Sequence, residues 1–132
     1  MDFVNVEDNT ATVLGTLASK TPELLNGIGN ELYKSIYDTM TTDKVVDTGR
    51  LRGSISYSTP YNDYNRPTSA NKPDDFIKGA KETDTVVFGS NVEYASYVNS
   101  GTSKQRARKF IENGTTRAVP QIKTTVEKIL KK

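Results

Sequence analysis

Between Pro22 and Thr42 the apolar residues Leu25, Ile28, Leu32, Ile36 and Met40 recur every three or four positions. That spacing places them on one stripe of an α-helix roughly 30 Å long, which has to lie against the rest of the chain. Thr21 is a suitable N-cap, Pro22 fits the first helical position, and Glu23 complements the positive end of the helix dipole. Tyr33 and Tyr37 flank the stripe. Gly27 and Gly29 read as points of close helix packing, because no strand precedes them and no third glycine follows at dinucleotide-loop spacing. A 132-residue chain buries about two thirds of its unfolded surface, enough for one modest core. The sequence therefore predicts a single domain over residues 1–132. Only 34% of residues are hydrophobic and none is tryptophan, which leaves surface for partners and favours an assembly subunit.

The remaining elements are shorter. Val13, Leu14, Leu17 and Ala18 repeat at helical spacing that Gly15 weakens, so residues 1–20 are either an arm or a short helix. The run 47–53 is a loop with room for one helical turn capped by Asp47 or Thr48. Ser54-Ile55-Ser56-Tyr57-Ser58 alternates as a half-buried strand with Ile55 and Tyr57 inward. Residues 60–84 hold three prolines and no periodicity, a long loop whose Tyr61, Tyr64 and Phe76 either dock a partner or fold back on their own core. Thr85 to Phe88 is a strand ended by Gly89. A short helix follows, with Val92, Ala95 and Val98 on one side and Gly101 as its stop. Val119, Ile122, Val126, Ile129 and Leu130 mark a last helix, which starts near Thr116 or starts near Arg108 and kinks at Pro120, with Asn113-Gly114 reading as a turn.

Without cysteine or histidine, thiolate nucleophiles, Ser-His-Asp triads and thiolate or imidazole zinc sites cannot be built. Asp74-Asp75 are neighbours in a polar loop, and Gly101-Thr102-Ser103-Lys104 lacks phosphate-loop spacing. We therefore expect no enzyme, no cofactor and no metal. No apolar run reaches the ~20 residues of a membrane span, and the amino terminus lacks secretory-signal character, so a soluble protein kept where it is translated is expected.

Charge is uneven. Residues 1–48 hold three basic and eight acidic side chains, whereas residues 49–132 hold fifteen and eight. The asymmetry suits stacking of unlike surfaces, or a basic face turned to an acidic partner. Lys104, Arg106, Arg108 and Lys109 fall within six residues, and with Arg50, Arg52, Tyr94 and Tyr97 they could form a phosphate-binding patch. A small basic nucleic-acid-binding module is thus the alternative reading.

Thr48-Gly49-Arg50-Leu51-Arg52-Gly53-Ser54-Ile55, Val87-Phe88-Gly89-Ser90-Asn91-Val92-Glu93-Tyr94-Ala95-Ser96-Tyr97-Val98, Gly101-Thr102-Ser103 and Ala107-Arg108-Lys109-Phe110-Ile111 resemble, in order and spacing, a family of phage minor tail components. These are tail-completion or head-tail joining proteins of long, non-contractile-tailed phages. The resemblance covers about residues 47–112. It implies an α+β fold, a small mostly antiparallel sheet packed by an N-terminal and a C-terminal helix with a long loop between strands. It also implies a virion protein of the neck or tail, assembled in the host cytoplasm as a ring, commonly sixfold. Such a ring joins the head connector or stopper to the tail tube or tail terminator, and genomic DNA passes through its lumen without sequence readout. On this reading Arg50, Arg52, Lys104, Arg106, Arg108, Lys109 and Phe110 are candidate intersubunit or DNA-channel contacts. Tyr61, Tyr64 and Phe76 are candidate partner-docking residues, while Tyr94 and Tyr97 fix the short helix to the sheet. The chain departs from the family in two places: members usually carry proline where Lys109 stands, and the 60–84 loop is longer than the pattern needs.

Overall fold

The computed structural model describes residues 4–8, 13–18, 22–43, 49–103 and 106–131. Five strands, β1 (Val4–Asp8), β2 (Val13–Ala18), β3 (Ser56–Ser58), β4 (Asp63–Tyr64) and β5 (Thr85–Ser90), form one sheet in the order β1-β2-β5-β3-β4. Every neighbouring pair is antiparallel. Helices α1 (Pro22–Thr42), α2 (Arg50–Gly53), α3 (Ala95–Ser100) and α4 (Phe110–Leu130) complete an α+β fold.

Helix α1 has the bounds its apolar stripe predicts, and it packs on both the sheet and α4. Leu25, Ile28, Leu32, Ile36 and Met40 are buried with Tyr57, Val86 and Phe88 from the sheet and with Phe110, Ile111, Ala118 and Ile122 from α4. Two glycines set the distances. A Cβ on Gly29 would stand 2.5 Å from the Tyr57 ring, and one on Gly114 would stand 2.7 Å from the Cα of Ile36. The α1–α4 seam is also tied by polar contacts: Ser35 Oγ donates to the Gly114 carbonyl at 2.7 Å, and Thr125 Oγ1 donates to Glu31 at 3.2 Å.

Several expectations need correction. Residues 4–8 and 13–18 form a β-hairpin, not a helix or an arm. Gly15 lies opposite Phe88, and its missing side chain leaves room for that ring, a use of glycine that helical spacing cannot reveal. Strand β5 runs through Gly89, which pairs with both Leu14 and Ser56. Of the two starts open for the last helix, the one near Arg108 agrees with the structure: α4 starts at Phe110, so Asn113-Gly114 is helical and not a turn, and Pro120 sits well inside. The expected caps Thr21, Asp47 and Thr48 lie outside the described residues.

Strand β3 was expected to be half-buried, yet Ser54 through Ser58 are all buried. The cover on the serine side is the 60–84 loop itself. The Ile77 amide donates to Ser56 Oγ at 2.8 Å, the Ala80 amide donates to Ser58 Oγ at 2.8 Å, and the Gly79 amide donates to Asp63 at 3.0 Å. Phe76 and Ile77 are buried there, and the loop includes β4 and a 3-10 turn at Pro73–Asp75. A row of serines can thus face inward because each hydroxyl finds a backbone partner.

The entry to α4 is built from afar. Asn99, 1% exposed at the end of α3, accepts the Ile111 amide at 3.1 Å through Oδ1 and donates to Glu112 at 2.8 Å through Nδ2. It fills the role of an N-cap from eleven residues upstream. Lys109, the residue before the helix, takes the left-handed conformation at φ 46 while its amide donates to the Asn99 carbonyl. Proline can supply neither feature. Glycine suits this backbone better than any L-residue, and we expect Lys109→Gly to raise stability by about 1 kcal/mol in urea titrations. Lys109→Pro should lower it by about 3 kcal/mol.

Candidate functional site

The two sequence blocks around Arg50 and Tyr94 meet at one charged junction. Gly49, at φ 82, turns the chain into the single helical turn α2, which aims Arg50 at the loop over β3. The guanidinium forks onto two carboxylates. Nε and Nη2 donate to Asp75 at 3.1 and 2.9 Å, and Nη1 and Nη2 donate to Glu93 at 3.0 and 2.8 Å. The same guanidinium stands 5.6 Å from the centre of the Tyr94 ring, within cation–π range. Asp75 is buried and also accepts from the Asn71 side chain at 3.1 Å and the Lys72 amide at 2.9 Å.

Electrostatics follow from this geometry. Burial pushes the Asp75 carboxyl up, but hydrogen bonds from Arg50, the Lys72 amide and Asn71 outweigh it and hold the group at about 2. Hydrogen bonds to Asp75 and then Glu93 raise the Arg50 pKa, and the Arg50 hydrogen bond lowers that of Glu93. Arg50 is therefore spent within its own subunit, stapling α2 to the 73–75 turn and to the approach to α3.

Most of the other candidate cations are also engaged. Arg52 donates to Thr41 at 3.1 Å and lies over the Tyr37 ring at 5.0 Å. Arg108 donates to the Asp43 carbonyl at 2.6 Å across the α1 terminus. Phe110 is fully buried in the core. Arg106 and Lys109 are exposed and have no ion-pair partner among the described residues, and Lys104 lies outside them. Arg106 and Arg108, two residues apart, thus differ, one exposed and one tied in.

The aromatics separate in the same way. Phe76 is buried and Tyr64 packs on the core, stacked on Tyr57 at 5.0 Å and edge-on to Tyr33 at 5.2 Å. These two serve their own fold, while Tyr61 stays 57% exposed on the Thr59–Asn62 turn. Tyr94 packs against the core, as expected, but Tyr97 is 49% exposed and does not anchor α3. The acidic half of the chain is partly neutralised too: Asp43 pairs with Arg117 at 3.3 Å and Glu31 with Lys34 at 3.4 Å.

Sequence reasoning missed Asn99 and Asp75. Asn99 had one visible signal, an amide side chain just before a helix-stopping glycine. Asp75 had none, because its partner lies 25 residues away. Among the described residues no group of three or more carboxylates is arranged to hold a metal ion, and no helix is long and apolar enough to cross a membrane.

Two long helices thus pack with a small antiparallel sheet, and Arg50 bridges Asp75 and Glu93 between the blocks that the sequence singles out. Residues 7–101 match the family described as "Bacteriophage HK97-gp10, putative tail-component", and the chain belongs to that family of phage tail components. No curated protein matches the chain significantly, and no solved structure does.

Proposed function

We propose that the chain is the subunit of a homo-oligomeric ring, probed first as a hexamer, which completes the tail and joins it to the head. Its neighbours on this reading are copies of itself, the head connector or stopper on one side, and the tail tube or tail terminator on the other. Genomic DNA passes through the lumen without sequence readout. The ring is built in the host cytoplasm, performs no catalysis and needs no cofactor. The observation that carries this reading is membership of the tail-component family over residues 7–101.

Two features of the molecule support it. The charged cluster at Arg50 consists of satisfied ion pairs with no nucleophile among them, which suits a part that bears load. The exposed Tyr61 and Tyr97 lie on separate elements, a strand turn and a short helix, as a subunit contacting unlike neighbours requires. The alternative, a free-standing nucleic-acid-binding module, loses Arg50, Arg52 and Arg108 to contacts within the chain.

Deleting the gene tests the reading directly. Electron microscopy of the lysate should show DNA-filled heads and separate tails that fail to unite, and supplying the protein should restore joined particles. Joined particles in its absence would end the proposal. Light scattering on the purified protein gives the copy number.

A further inference from the structure

The segment entering α4 is held firmly although Arg106 and Lys109 are exposed. The Arg108 amide donates to the Val98 carbonyl and the Lys109 amide to the Asn99 carbonyl, both at 2.9 Å, so residues 106–109 run alongside α3. Arg108 is pinned again through its side chain to Asp43. This lobe presents Tyr97, Ser100, Arg106 and Lys109 as exposed side chains. The two carboxylates that flank it in sequence are both engaged: Glu112 accepts from Asn99 Nδ2 at 2.8 Å, and Glu93 is held by Arg50.

We infer that Tyr97, Arg106 and Lys109 form a backbone-binding surface for duplex DNA. The inference rests on the ring reading only in supplying DNA close to the lobe. The chemistry favours a polyanion of high charge density. Two cations that have no ion-pair partner among the described residues, an exposed phenol and a hydroxyl can all engage phosphate oxygens, the contacts that seat a protein on a duplex without carrying sequence information. Duplex DNA carries about one charge per 1.7 Å of axis, a density the exposed carboxylates of the described residues do not approach. The exposed carboxylates among the described residues are dispersed. Glu23 and Asp38 lie toward opposite ends of α1, Asp63 lies on β4, Asp74 in the 73–75 turn, Glu82 beside Lys81, Glu93 ahead of α3 and Glu127 in α4 beside Lys128. Because residues 106–109 are fixed by backbone bonds, little side-chain freedom beyond Arg106 and Lys109 themselves is lost on contact.

The test is binding of a fluorescein-labelled 30-base-pair duplex of mixed sequence, titrated from 50 to 300 mM salt, with the wild-type protein in its own oligomeric state. The variant Arg106→Gln/Lys109→Gly removes both charges, and its glycine relieves the left-handed backbone, so unfolding does not explain a loss. The slope of log affinity against log salt should become shallower by about 2, since each phosphate contact contributes about 0.9. Tyr97→Ser should weaken binding roughly fivefold at every salt concentration without changing the slope. Lys81→Gln, in the 60–84 loop, should leave the slope as it is.

An unchanged slope in the double variant overturns the inference. So does a double variant whose mass falls while its DNA binding per chain persists, because the lobe would then join copies of the chain. A wild-type protein that binds DNA with the stated slope yet neither forms rings nor joins particles sinks the ring reading and leaves this inference standing. Rings with an unaltered slope sink this inference alone.

Discussion

Replacing Arg50 with leucine should lower the unfolding free energy by about 3 kcal/mol, because it leaves the buried Asp75 carboxylate with an unmatched charge. For a chain of 132 residues that corresponds to a fall in Tm of about 10 °C. Arg50→Lys should recover only part of it, since an ammonium cannot fork onto two carboxylates at once. Glu93→Gln should change little, because Glu93 is exposed and its charge is screened.

The same staple sets an acid dependence. Asp75 titrates at about 2 in the folded chain against an ordinary 3.8, so the unfolded chain binds the proton more readily. Its stabilising contribution, about 2 kcal/mol, is complete above pH 4 and drains away as the pH falls towards 2. In the Arg50→Leu protein that segment of the curve should flatten or invert, as burial then pushes the carboxyl upward. Urea midpoints at pH 7, 4 and 2.5 decide the matter. An acid limb that is identical in the two proteins would show that the pair contributes nothing.

Gly114→Ala should destabilise the fold by about 2 kcal/mol, against the usual gain of up to about 1 kcal/mol for alanine in a helix interior. The new Cβ would stand 2.6 Å from Ile36 Cγ1 and 2.7 Å from its Cα, and backbone cannot swing aside. Helices α1 and α4 would have to separate. Gly27→Ala is the matched control on the same seam. Its Cβ meets only the side-chain ends of Ile129 and Thr125, at 3.1 Å, so it should be neutral or gain a few tenths of a kcal/mol. Thermal melts of the two proteins should shift in opposite directions, and a common shift would contradict the close approach at Gly114.

Much of the architecture could be read from the chain because its dominant signals are local. The stripe from Leu25 to Met40 requires only 3.6-residue periodicity, and α1 has the predicted bounds. The α3 stop at Gly101, with φ 81, follows from residue type alone. What escaped depends on distant partners. Val13 to Ala18 fits a helix by spacing, yet it becomes a strand because β5 offers it an edge and Phe88 needs the space at Gly15. Ser56 and Ser58 look solvent-facing until amides arrive from residues about twenty positions later.

The candidate surface fared similarly. Charge density along residues 104–109 was visible, but which cation is consumed internally depends on carbonyls and carboxylates brought in by the fold. Arg50 is the clearest case: in the sequence it belongs to a basic cluster, and in the fold two carboxylates claim it.

The ring stack of Tyr33, Tyr37, Tyr57 and Tyr64 lies where α1 meets the sheet, and the chain contains no tryptophan to mask it. Its near-ultraviolet circular dichroism should therefore act as a built-in gauge of that one joint. If docking to the rest of the virion pries the long helix off its bed, the phenolic signal will fade with no dye or label attached; if the subunit locks in as a rigid brick, the spectrum will stay as it was.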